Sequence, residues 1–143
     1  MGQRIAWPQA ANPCGETTTL ATPPESSSAR QPHRQALVTG WKNDGYEVCA
    51  PTLWTYEIIS ALCKLVRFGE LMTAEGRRAL APANALDVQR IHPDEGQCRR
   101  AFDWTMCLNR AAAYASFYLA LAETLGCELW TADKHLRNAV ELP

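Results

Sequence analysis

Two acids in this chain, Glu57 and Asp133, each stand just after a strand pattern, where they could do chemistry together. Asp133 follows a nearly all-apolar run over 114–125, a glycine at 126 and a strand pattern over 127–131. It therefore stands where a strand ends. In an open parallel sheet that C-terminal edge is where ligand-binding and catalytic groups collect. Glu57 lies one helical turn past another strand pattern, over 46–50, on a helix whose apolar stripe is Trp54, Ile58, Ala61, Leu62 and Leu65. Its Cβ sits at the edge of that stripe, facing inward. A carboxylate there costs desolvation energy unless a cation or hydrogen-bond donors satisfy it. Two carboxylates at one sheet edge suit a hard divalent ion: Mg²⁺ takes oxygen ligands, often one or two carboxylates, and fills its shell with water and phosphate. Such a site suits phosphodiester cleavage, in which the metal activates water and neutralises developing charge.

Each of these residues also has a plainer reading. Asp is among the best helix N-caps, so Asp133 is explained by capping a terminal helix alone, although a capping carboxylate still presents an oxygen outward. Glu57 is equally accounted for by a salt bridge to an arginine or by a partly exposed position at the stripe's edge. Thr131 lies two residues before Asp133 on the same strand face and sets a hydroxyl beside it; it is also an ordinary β-branched strand residue. His33, His92 and His135 show no zinc spacing, and no P-loop, G-x-S-x-G or dinucleotide glycine pattern occurs. Trp54, Trp104 and Trp130 read as core residues, which leaves Trp7 and Trp41 as candidates for exposure.

The elements that must position these groups fall after residue 34. Residues 1–34 hold five of the nine prolines and two homopolymeric triplets, Thr17–Thr19 and Ser26–Ser28. Such a segment buries too little apolar surface to offset its ordering entropy, so most of it is expected to be poorly ordered. Only 4–7 or 17–21 reads as strand there. Residues 35–143 form the expected domain. A short helix over 35–42 ends at the Asn43–Gly45 turn signal. The strand over 46–50 leads to a helix from Thr52, its expected cap, to Phe68, where Gly69 stops it. A helix from Thr73 carries Glu75, Arg77 and Arg78 on its wet side and should kink or end at Pro82. Residues 86–91 alternate like a half-exposed strand. After the turn at 92–94 come helices over 95–108 and 111–125, the strand over 127–131 and a last helix capped by Asp133. Strands alternating with helices imply an α/β fold with right-handed crossovers and a parallel sheet.

Composition narrows the classes further. With 143 residues the chain makes one domain, and a net charge of −1 gives no bulk attraction to nucleic acid, so any such contact rests on local pairs such as Arg77-Arg78 or Arg99-Arg100. Six cysteines show no C-x-x-C pair and mostly sit in apolar patterns, where free cysteine is a small buried hydrophobe. No stretch reaches the roughly 18 apolar residues of a membrane span, and the polar N-terminus is no secretory signal. A reduced, cytoplasmic setting is expected.

Three stretches resemble the PIN-domain family, specifically the bacterial VapC-type ribonuclease toxins: Ala50-Pro-Thr-Leu-Trp-Thr-Tyr-Glu57 with the following Ser-Ala-Leu, Arg67-Phe-Gly-Glu-Leu71, and Ala113-Tyr through Ala132-Asp133. The likeness spans about 35 to the C-terminus. It implies a three-layer fold with a parallel sheet flanked by helices, and a divalent-metal-dependent endoribonuclease using Mg²⁺ or Mn²⁺. It also implies an RNA substrate, a cognate antitoxin that blocks the site, and a homodimer. By that resemblance Glu57 and Asp133 are the catalytic metal ligands and Thr131 supports them. The pattern breaks twice. Ala115 stands where the family has an Asp, and nothing in 1–34 matches the family's first strand with its terminal Asp. Ser116 offers a hydroxyl but not a carboxylate's charge. With about two negative charges instead of four, weakened or absent nuclease activity is expected. The alternatives are a catalytically degenerate protein that keeps the fold as an interaction module, and an unrelated α/β binding module. The missing first strand also has to be replaced, either by 17–21 or by a different sheet.

Overall fold

Val48, Cys49 and Ala50 are almost wholly withdrawn from water, as a strand covered on both faces of a parallel sheet must be. They belong to β3 (Glu47–Pro51), an interior strand of the sheet. The computed structural model describes residues 3–5, 17–20, 40, 43, 47–131 and 133–141. Its other elements are β1 (Gln3–Ile5), β2 (Thr17–Leu20), α1 (Leu53–Arg67), α2 (Thr73–Ala85), β4 (Gln89–Ile91), α3 (Glu95–Cys107), α4 (Tyr114–Leu125), β5 (Glu128–Thr131) and α5 (Lys134–Glu141).

One five-stranded sheet runs in the order β1-β5-β2-β3-β4. The last four strands in that order are parallel to their neighbours, and β1 is antiparallel to β5. The fold is α/β, as expected. The chain moves outward from β3 to β4 through α1 and α2, then back to β5 through α3 and α4. With right-handed crossovers, that reversal puts the two helix pairs on opposite faces of the sheet.

Of the two ways expected to replace the missing first strand, entry of 17–21 or a different sheet, the first is the one found. Thr17–Leu20 is the central strand, pairing Thr18 with Val48 on one side and with Glu128 on the other. Two parallel strands that flank an empty slot would leave their inward N–H and C=O groups unpaired, and any short β-branched segment able to enter the slot is strongly favoured. Both expected strand segments therefore pair, although the rest of 1–34 lies outside the described residues. So does the helix expected over 35–42, apart from Gly40; Asn43, assigned to a turn, is helical.

Helix α4 carries the core. Ser116 and Tyr118 to Ala122 are buried, so the helix is covered on nearly all sides, packing on β2, β3 and β5 and against α3. Gly126 ends it with φ 61°, a left-handed turn that glycine makes without Cβ strain. It begins at Tyr114, not at 111: Asn109 adopts φ 49° and breaks the chain out of α3, leaving no cap for a helix across the alanines. Thr52 occupies the cap position of α1 without a capping side-chain bond; its N–H is instead donated to the Ile91 carbonyl of β4 at 3.0 Å. Pro82 does not end α2. It sits on the exposed side near the helix's last turn, where the carbonyl it leaves without an N–H partner can face water.

The cysteines divide differently from expectation. Cys49 and Cys127 are buried, while Cys63, Cys98 and Cys107 lie exposed on helices as free thiols. Among the described residues no helix is long and apolar enough to cross a membrane.

Candidate active site

The C-terminal ends of β3, β2 and β5 lie side by side. Glu57 follows β3 on α1, and Asp133 follows β5. Their parent strands are separated by β2, about 10 Å at two strand spacings. The two acids thus flank one sheet edge.

Asp133 is held on every side. Its Oδ1 accepts the backbone N–H groups of His135 at 2.9 Å and Leu136 at 3.0 Å, which is N-capping of α5. Its own N–H is donated to Thr131 Oγ1 at 3.0 Å, so Thr131, almost completely buried, fixes the turn that aims the carboxylate. The second oxygen, Oδ2, lies 3.5 Å from Arg110 Nη1. The capping reading is correct, and it leaves one oxygen facing a cation.

Glu57 has a different partner from the one anticipated. No arginine pairs with it among the described residues; the Tyr118 hydroxyl of α4 donates to its Oε2 in a short hydrogen bond. A buried tyrosine hydroxyl needs such a partner, which was the available signal in an otherwise apolar helix. Burial pushes the Glu57 carboxyl above its ordinary 4.5, and the Tyr118 bond pulls the other way without cancelling it.

Ser116 lies elsewhere. It is buried between α4 and α3, with its Oγ 2.8 Å from Thr105 Oγ1, and Thr105 is in turn bonded to the Ala101 carbonyl. Its hydroxyl is spent on helix packing. Ala115 is half-buried on the first turn of α4 and packs against the core cluster; it stands three residues before Tyr118, on the same side of the helix.

The donor set fits a divalent ion that takes one or two carboxylates and completes its shell with water and phosphate. It does not fit a closed protein cage. Among the described residues no three His, Cys, Asp or Glu side chains gather into a metal-binding group. Sequence reasoning missed Arg110 and Tyr118. Neither carries a spacing signal, because both reach the site through packing.

Glu57→Gln should flatten part of the pH dependence of stability. A raised folded pKa means the native state binds this proton more tightly than the unfolded chain does. Its contribution is complete below 4.5 and is lost as pH rises through the higher folded value. Glutamine stays neutral and still accepts the Tyr118 bond. Wild type should therefore lose stability relative to the variant on going from acid toward neutral pH, as read by urea unfolding at a series of pH values. Parallel curves would mean that Glu57 titrates as in the unfolded chain.

Over 88 residues the chain is 42% identical to a VapC ribonuclease of Mycobacterium bovis, and equally to ribonuclease VapC9 of two Mycobacterium tuberculosis strains. That stretch is 62% of this chain and 66% of each relative, so the chain spans just under two thirds of the length of the curated relatives it matches. No family model matches. The similarity is one of sequence, and it agrees with an α/β fold in which Glu57 and Asp133 follow two strands of one sheet: along that stretch the chain is similar to the VapC ribonucleases.

Proposed function

We propose that this protein is a VapC-type endoribonuclease, the toxin of a toxin–antitoxin pair, with Glu57 and Asp133 as the acids of a weak Mg²⁺ or Mn²⁺ site. The observation that carries this reading is the placement of both acids after the two strands that flank β2, in a chain 42% identical to VapC ribonucleases over 88 residues. When bound, the ion would activate water and neutralise charge at the scissile phosphate. The chain's own groups have simpler tasks. Thr131 and the two N–H groups of α5 hold Asp133 in one orientation. Tyr118 holds Glu57 by one oxygen and leaves the other without a partner among the described residues. The substrate is RNA and the natural inhibitor a cognate antitoxin. The protein works as a homodimer in a reducing cytoplasm, in keeping with the free thiols of Cys63, Cys98 and Cys107. Tyr56 and Ile59 on α1, with Phe68 and Met72 just beyond it, are exposed apolar side chains suited to such protein partners.

The test is RNA cleavage by the full chain in Mg²⁺ or Mn²⁺ against the same reaction in EDTA. Cleavage that needs the metal supports the reading. A folded protein that leaves RNA intact with either ion supports the second reading, a degenerate member that keeps only its binding surfaces. Ala115, a methyl group at the place of an expected acid, is the feature that favours it.

A further inference from the structure

We infer that Arg110 is the counter-ion of Asp133 in the ion-free protein, and that a divalent cation has to displace it to bind. The inference rests on the metal-site reading above and assigns Arg110 a role within it. Asp133 has two oxygens. Oδ1 is committed to the His135 and Leu136 N–H groups, so Oδ2 is the oxygen left for a cation. Arg110 Nη1 already stands 3.5 Å from it.

Arg110 is not there by the wandering of a long side chain on a loose loop. Its N–H is donated to the Thr105 carbonyl at 3.0 Å, that of Asn109 to Met106 at 3.1 Å, and Asn109 turns through φ 49°. These bonds tie the start of the α3–α4 connection to the last turn of α3 and deliver the arginine to the end of β5. The contact itself is loose. At 3.5 Å it is longer than a tight charge-assisted bond, and the side chains are 27% and 32% exposed, so water screens the pair. A pair of this kind exchanges. A doubly charged ion entering at Oδ2 meets a guanidinium that repels it and occupies its place, and among the described residues no third carboxylate joins the pair to offset that repulsion.

Arg110 is a positioning residue on this account, and it weakens ion binding. The measurement is Mn²⁺ binding to the full chain, with free ion counted by electron paramagnetic resonance, for wild type, Arg110→Gln and Arg110→Lys, each checked for native circular dichroism. Arg110→Gln should bind Mn²⁺ several-fold to about tenfold more tightly than wild type, the scale of a single screened charge–charge interaction. Arg110→Lys keeps the charge and should stay within about twofold of wild type. Raising salt should narrow the difference between wild type and Arg110→Gln. Equal affinity in all three proteins, or weaker binding by Arg110→Gln, overturns the inference while leaving the metal site standing. Absence of Mn²⁺ binding in every folded variant removes the site itself, and the counter-ion role with it.

Discussion

Asp133→Asn should abolish metal-dependent RNA cleavage, with a loss of at least about 100-fold, the scale seen when one group that stabilises developing charge is removed. It should do so without unfolding the protein. Asparagine is as good an N-cap as aspartate, so the His135 and Leu136 N–H groups keep an acceptor. What disappears is the negative charge that faces Arg110 and that would face an ion. The pairing with Arg110 is partly exposed, and its loss costs little stability. Asp133→Ala makes the complementary test. It removes the cap as well as the charge, so it should lower stability by about 1 kcal/mol beyond the asparagine variant. Cleavage rates and urea midpoints measured on the two variants separate the capping role from the catalytic one. Cleavage that survives Asp133→Asn would mean that the carboxylate serves α5 alone.

Ala115→Asp should raise Mn²⁺ affinity by about tenfold or more, because affinity for hard divalent ions follows the charge of the ligand set. Position 115 is the second residue of α4, on the same side as Tyr118, whose hydroxyl holds Glu57. A new carboxylate there joins the existing acids from the third element at this end of the molecule. The helix start also favours it: negative charge in the first turn is stabilised by about 0.3–1 kcal/mol through the helix dipole. Against this stands the packing of the Ala115 methyl on the core, which a polar group disturbs. Calorimetric titration of Mn²⁺ into both proteins decides the matter. If wild type is also inactive on RNA, the same variant should restore cleavage. Unchanged ion affinity in a folded variant would show that position 115 does not reach the site.

Much of the scaffold was readable residue by residue. Residues 46–50, before Pro51, read as a strand and Glu47–Pro51 forms one, while only the structure shows that it is covered on both faces. Asp94 announces α3 through its reciprocal bonds with Gln97, at 2.7 and 3.3 Å. Gly126 marks the end of α4 because the chain there must turn through a positive φ. The failures share a cause. Three alanines at 111–113 have high helix propensity, yet the path set by Asn109 leaves them outside the helix. Cys63, Cys98 and Cys107 resemble buried residues by type and face water by position. Thr17–Leu20 reads as strand through its β-branched threonines, but its central place comes from the demand of β3 and β5 for a shared partner, over a separation no local pattern records.

The candidate site divides along the same line. The order of strand, turn and acid is local, so the chain by itself determines that Asp133 follows a strand and that Glu57 rides the helix after another. Capping of α5 by Asp133 is local as well, since its partners are two and three residues away. Tertiary structure alone decides what each carboxylate meets. Tyr118 is 61 residues from Glu57, and Arg110 lies on a connection that reaches Asp133 only after α4 and β5 have been built. Whether an acid is neutralised, buried or open to an ion depends on such neighbours, and packing brings them together where sequence spacing does not.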